Sequence, residues 1–378
     1  MSTVAHAGVV DTPHQEPQSP QTAEAGAAFS GRYVSLDAYR GLIMVLLVSV
    51  GFGFGALKDH PVFGVIASQL EHVPWQGAVL WDLVMPAFVF MVGMAMPFAF
   101  ARRIERGATF NQNLLHVISR SVKLLALSHL FTIIHQGKFQ FALLNVLSQL
   151  ALTYFLCFLI VQLSLRWQVV TAALLLAGHW ALFAVFPGPL GPFSQTGNIG
   201  QVIDQAVLGR TYPGGYVSIN FISTAVSNLF GVWAGYLMMS RRPIGQKMKI
   251  LAIAAITTLA AGLALTPFNP MVKRIWTASF TLYSTGWVLL MLLAFVWLIE
   301  VQGRRRFAFP LVVVGMNSIF VYVVFQLFRG SINRTVGVLT GRFEFIGTLA
   351  PVLQSCATLL VIWYFCYWLY QRKIFFKL

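Results

Sequence analysis

The sequence predicts an all-α polytopic membrane protein of about ten transmembrane helices with both termini in the cytoplasm, and three observations carry that prediction. Of the 378 residues, 57% are hydrophobic and only 10% are charged, whereas a soluble domain averages about 25% charged residues. The mean hydropathy is +0.73. Apolar runs of roughly 20 residues, the length that crosses a bilayer as a helix, follow one another through most of the chain. These observations exclude a soluble globular protein.

Residues 1–33 come first. They are rich in Ala, Gly, Pro, Gln, Ser and Thr, carry no Lys or Arg before Arg32, and lack the apolar core of a signal peptide. A disordered tail is expected there, followed by a transmembrane domain over 34–378. Apolar spans then fall near 37–57, 78–100, 113–134, 141–163, 167–186, 219–239, 249–266, 276–299, 309–329 and 351–371. The first opens with SLDAYRG, where Asp37 suits a helix N-terminus and can pair with Arg40 three residues on. The third holds Arg120 and Lys123 about a turn apart, placed to snorkel or to meet a phosphate. The loop 188–218 is Gly- and Pro-rich and long enough to be functional, as the cap of an outer cavity. Lys273, Arg274 and Trp276 stand at the mouth of the eighth span, and Asn317 and Ser318 lie inside the ninth beside Gly315.

Ten spans put both ends of the chain on one side. The clusters Arg102-Arg103, Arg241-Arg242 and Arg304-Arg305-Arg306 recur after every second span, and about twice as many Lys and Arg fall on that side as on the other. Basic residues are retained on the cytoplasmic side, so the net charge of +15 reads as topology and calls for no nucleic acid. Cys157, Cys356 and Cys366 all lie in apolar runs, without the spacing of a metal site or a disulfide framework. No metal is expected. No nucleotide-binding motif supplies ATP drive.

Asp82 stands out because it lies several residues inside the second span, where an unpaired carboxylate costs several kcal/mol and is expected to have a partner. Ten residues earlier the outer loop reads Glu71-His72-Val73-Pro74-Trp75, and a loop that folds back over the helix end brings His72 to Asp82. A carboxylate fixes the tautomer of a histidine and makes it more basic, which suits it to accept a proton from a nucleophile. On spacing alone, a structural hydrogen-bonded Asp near the interface is an equal reading. His116, His129, His135 and His179 lie on or beside apolar spans and read as polar contacts between helices.

The runs SLDAYRGLIM, QLEHVPWQGAVLWDLVMPAFVFMVGMAMPF, NPMVKRIWTASF and GMNSIFVY together resemble the heparan-α-glucosaminide N-acetyltransferase family and its bacterial relatives, over most of the chain after residue 33. The resemblance implies an acetyltransferase that takes acetyl-CoA, as co-substrate, from the cytosol and acetylates an amino sugar or other saccharide across the membrane. His72 and Asp82 would be catalytic. Arg40, Arg120 and Lys123 would face the cofactor, and Trp75, Lys273, Trp276, Asn317 and Ser318 the substrate. His72 would either deprotonate the acceptor or carry the acetyl group itself. The resemblance also implies a multi-pass protein of the inner membrane, in contact with lipid, and a homodimer. Some bacterial relatives are associated with N-acetylglucosamine uptake, so a sugar transporter stands as the alternative.

Overall fold

The computed structural model describes residues 33–376, so the tail expected over 1–33 lies, Tyr33 apart, outside the described residues. Every regular element in the described residues is helical. The helices are α1 (Val34–Ser49), the short α2 (Gly64–Gln69), α3 (Val84–Glu105), α4 (Phe110–Gln136), α5 (Val146–Ile160), α6 (Leu165–Val185) and α7 (Ile199–Leu208). There follow α8 (Phe221–Met239), α9 (Ile244–Leu265), α10 (Ala278–Val296), α11 (Arg305–Gly315), α12 (Ser318–Leu327), α13 (Arg329–Thr340) and α14 (Ala350–Gln371).

Among the described residues eight helical stretches are long and apolar enough to cross a membrane, or nine if α11 and α12, bent by 59° at their junction, form one span. The expected span 309–329 corresponds to the bent pair α11 and α12 and each of the other nine to one helix, but α5 has 15 residues. At 1.5 Å per residue it reaches only about 22 Å, against a hydrocarbon thickness of roughly 30 Å. That shortness and the bend between α11 and α12 together account for the difference between ten and eight.

Local chemistry sets several helix ends. Thr109 and Gln112 form a reciprocal capping box at the start of α4. Asn145, Asn198 and Thr277 each accept a backbone N–H at the starts of α5, α7 and α10. The helices approach closely where glycine faces backbone. Gly41 of α1 lies against the Leu311 carbonyl of α11, and Gly315 of α11 against that of Asp37. Gly93 of α3 and Gly231 of α8 meet the backbone of Asn228 and Phe90 in the same way. In lipid, where burial of apolar surface gives no drive between helices, such close backbone packing holds spans together. Tyr39, Met44, Phe90, Met91 and Met94 fill the space between these pairs and are almost wholly buried.

Contacts sort the connections into two ends. At one end Tyr33 Oη and Lys247 Nζ both donate to the Met238 carbonyl, at 2.9 and 2.7 Å, and Ser35 Oγ donates to Glu300 Oε1 at 2.9 Å. Asn317 holds the final segment there, donating to Ile374 O at 3.1 Å and accepting from Phe376 N at 3.1 Å. At the other end Trp75 Nε1 donates to Phe193 O at 2.9 Å, Asn220 Nδ2 to Arg274 O at 2.8 Å, and Arg329 Nε to Val48 O at 2.7 Å. The long loop 188–218, which contains α7, packs onto Trp75 through Phe193 and Gly215. It therefore roofs the end that carries His72.

Candidate active site at His72

Two loops build the site. The first runs through His72 into a single 3-10 turn, Leu80–Leu83, that leads into α3. Asp82 is the third residue of that turn, and its Oδ2 accepts from Val79 N at 3.3 Å, a carboxylate where the N-terminal amides of a helix favour one. The second loop, 266–277, enters α10. Thr277 Oγ1 accepts from Val272 N at 3.0 Å, and Trp276 N donates to Lys273 O at 2.9 Å. Gly77 N donates to Met271 O at 2.8 Å and so ties one loop to the other.

The result is a three-residue cluster. His72 Nδ1 lies 2.7 Å from Asp82 Oδ1. Lys273 Nζ lies 3.4 Å from the same carboxylate oxygen, and 3.1 and 3.4 Å from His72 Nδ1 and Nε2. Asp82 is 1% exposed and Lys273 6%, whereas the His72 side chain is 39% exposed. Burial pulls the Lys273 ammonium down to about 8, a fall that the Asp82 carboxylate opposes. An ionised carboxylate only accepts, so Asp82 favours the tautomer in which His72 Nδ1 donates to it and Nε2 carries the lone pair. That arrangement is a base held in place by a buried acid, with a cation beside it.

Two cavities meet at this cluster, and His72 and Trp81 line both. One, of about 410 Å³, runs into the helices between α1, α3 and α12. Met44, Leu47, Met85 and Phe88 give it apolar walls, Lys273 and Tyr216 border it with His72, and Asn145, Tyr322 and Gln326 supply further polar groups. Gln326 Nε2 donates to Tyr322 Oη at 3.3 Å, and Tyr322 Oη to Asn145 Oδ1 at 3.4 Å. The other cavity, of about 570 Å³, is lined by Glu71, Arg329, Asn333, Gln354 and Ser355 as well as by His72.

The structure thus brings together three of the residues singled out in the sequence: His72, Asp82 and Lys273. Trp75 braces the same loop from outside, its indole bonded to Phe193 and its ring against Gly215. Trp276 is buried with φ +50°, packed on Phe280 at 5.3 Å between ring centroids. Asn317 spends its amide on residues 374 and 376 at the far end, and Ser318 follows it into α12; neither lines the two cavities. Arg40 pairs with Asp37 at 3.5 Å at that far end. The Arg120 guanidinium lies over the Tyr154 ring at 4.5 Å, and Lys123 is exposed. Neither belongs to the walls of the cavities at His72. His129 and His135 bond the carbonyls of Leu125 and Phe131 in their own helix, both at 2.7 Å.

Sequence reasoning missed Tyr216, Tyr322, Arg329 and Asn333. The 322 and 326 pair, polar groups one turn apart in an apolar helix, was a readable signal. Arg329 and Tyr216 gave none, because a cation after an apolar run and a tyrosine in a Gly-rich loop are ordinary.

A sequence model of the catalytic region of heparan-alpha-glucosaminide N-acetyltransferase matches residues 32–192, the stretch that contains His72 and Asp82. The heparan-alpha-glucosaminide N-acetyltransferase of Homo sapiens is 22% identical over 420 aligned positions, covering 93% of this chain and 61% of that protein. Its Mus musculus counterpart is 23% identical over 436 positions, covering 95% and 62%. The chain therefore spans about three fifths of the length of the curated relatives it matches.

Proposed function

We propose that this relative of the heparan-α-glucosaminide N-acetyltransferases is a membrane acetyltransferase that moves an acetyl group from acetyl-CoA to the amine of a saccharide on the opposite side of the membrane. The observation that carries the reading is His72 at the junction of two cavities, bonded to buried Asp82 and beside Lys273. The narrow cavity between α1, α3 and α12, with apolar walls and a few hydrogen-bonding groups, fits the thioester arm of acetyl-CoA. The wider, more polar one fits a saccharide. Arg40 stands on the face of α1 that also carries Ile43, Met44 and Leu47 of the narrow cavity, at helical spacing. It is the cation we assign to the CoA phosphates; Arg120 and Lys123 face other surroundings.

His72 Nε2 takes the proton of the attacking amine as its nitrogen bonds to the thioester carbonyl carbon. Lys273 lends positive charge to the oxygen that becomes negative. The carbon–sulfur bond then breaks and the proton passes from His72 to the sulfur, leaving an N-acetyl product and free CoA thiol. Asp82 holds the imidazole in register throughout and stays ionised.

The Arg-rich connections at the far end, on the positive-inside argument, support placing that end in the cytoplasm and His72 outside, with the inner membrane of a bacterium as the location. Tyr33 and Phe376 both bond to residues of the far end, which favours an even number of passes with the short α5 as one of them.

The test is CoA-thiol release by the purified protein with glucosamine as acceptor. His72→Ala should lose about 10²–10⁴-fold, the usual worth of a general base, and Asp82→Asn at least tenfold. An undiminished rate in His72→Ala refutes the assignment. Sugar uptake into proteoliposomes without acetyl-CoA, together with no thiol release, would instead establish the transporter reading.

A further inference from the structure

A crevice of about 490 Å³ lies between α6, α9 and α10 and shares no lining residue with the two cavities at His72. α6 runs toward the His72 end, where loop 188–218 follows it, and α9 ends and α10 begins at that same end. Ala173 and Leu176 therefore line the deep part of the crevice, while Trp180, Phe268 and Asn269 line it beside the loop that carries Lys273. From Ala173 to Trp180 the helix rises about 10 Å. The small side chains of Ala173 and Ala177 make the hollow, and Trp180 Nε1 donates to Phe268 O at 3.2 Å across its rim. Trp180 and Phe268 are both exposed, so this surface faces the hydrocarbon.

One polar group interrupts the apolar wall. Asn269 is 2% exposed, and its Oδ1 is buried with no hydrogen-bond partner among the described residues. A carbonyl oxygen at such a place is costly unless a donor reaches it, because the hydrocarbon offers no water. None of the eight residues that line the crevice is charged. About 490 Å³ spread over that height leaves less cross-section than a helix about 10 Å across would fill, so the shape suits a lipid chain and not a protein segment.

We infer that the crevice holds one phosphatidylethanolamine from the leaflet on the His72 side, with an acyl chain along α6 and the ammonium donating to Asn269 Oδ1. The uncharged wall calls for a headgroup without net charge, which sets phosphatidylglycerol aside. The open oxygen calls for a donor, which phosphatidylcholine lacks. Asn269 and Ala278 flank the segment that delivers Lys273. The bound lipid thus braces that loop from the membrane side, whatever reaction the site performs.

Native mass spectrometry of the purified full chain in neutral detergent tests it, with phosphatidylethanolamine and phosphatidylcholine of the same acyl chains added in equal amounts. The wild type should prefer phosphatidylethanolamine about tenfold for its first bound lipid, the scale of a hydrogen bond from a charged group. Asn269→Leu keeps the size of the side chain and removes the acceptor, so it should bring that ratio to about one. Ala177→Trp fills the hollow and should lower the number of bound lipids by one. The two variants alter different walls, so either decides the matter if the other does not fold. Hydrogen exchange in nanodiscs adds a second readout: residues 268–277 should exchange several-fold more slowly with phosphatidylethanolamine than with phosphatidylcholine, and equally in Asn269→Leu.

Equal wild-type affinities for the two lipids overturn the inference, and so does a preference that survives Asn269→Leu or Ala177→Trp. It also fails if phosphatidylglycerol displaces phosphatidylethanolamine, since the headgroup then carries net charge. A dimer that Ala177→Trp separates without loss of a lipid would show that a second copy covers the crevice instead. Exchange that ignores the headgroup would refute the bracing of the loop.

Discussion

Lys273 shows how one buried residue can set the working range of the cluster. Its ammonium lies 3.4 Å from Asp82 Oδ1 and against the His72 ring, and burial brings its pKa down to about 8. Below that pH the side chain is charged and can stabilise a developing oxyanion; as pH rises through about 8 it loses its proton and that charge. The rate at saturating acceptor should therefore fall on the alkaline side with a midpoint near 8. Lys273→Arg, whose guanidinium stays protonated throughout this range, should remove that limb, and Lys273→Met should be slow at every pH and lack it. A pH–rate profile of the three proteins decides the matter: an identical alkaline limb in Lys273→Met would show that another group titrates.

The elements decide whether such residues meet. Lys273 is delivered by the turn before α10, where Thr277 Oγ1 accepts from both Val272 N and Phe280 N. Thr277→Ala removes the cap, a loss of about 1 kcal/mol in typical helices, and frees the segment that aims Lys273. It should lower both the thermal midpoint in detergent and the rate, while Thr277→Ser restores both; a normal rate in Thr277→Ala would separate the turn from the chemistry. The same reasoning explains what could be read from the sequence. Asp82 was legible because a carboxylate inside an apolar span needs a partner, and the loop ten residues earlier offered His72; the catalytic reading of the pair came from the resemblance, and Asp82 in fact lies in the turn that leads into α3 rather than several residues inside it. Lys273 was legible as a misplaced cation but not as a partner of Asp82, because the link runs through Gly77 and Met271 across nearly two hundred residues. Asn317 looked like a pocket residue for being polar in an apolar helix. Its amide instead ties the bend between α11 and α12 to the last described residues. The cavity with Arg329 was invisible, since its wall joins loop 50–56, residues 70–72 and the starts of α13 and α14, which no periodicity connects.

At the scale of the whole molecule the proposed function assigns the two cavities to substrates from opposite faces of the membrane. The narrow one passes between α1, α3 and α12 toward the middle of the bundle, and the open, charged one lies under the end that loop 188–218 roofs. A donor and an acceptor entering from opposite sides would meet at His72 without either crossing. Of the two cavities Leu47 lines only the narrow one, and tryptophan there puts bulk into that space. Leu47→Trp should raise KM for acetyl-CoA about tenfold or more, the effect of losing roughly 1.4 kcal/mol of binding, with little change in KM for the amine. Sealed proteoliposomes extend the test to direction: acetyl-CoA supplied on one side should acetylate an impermeant amino sugar held on the other, and Leu47→Trp should slow that transfer in proportion to its KM effect. If acetyl-CoA and sugar react only when both are on the His72 side, the narrow cavity is not the donor's route, and both substrates must share the outer one.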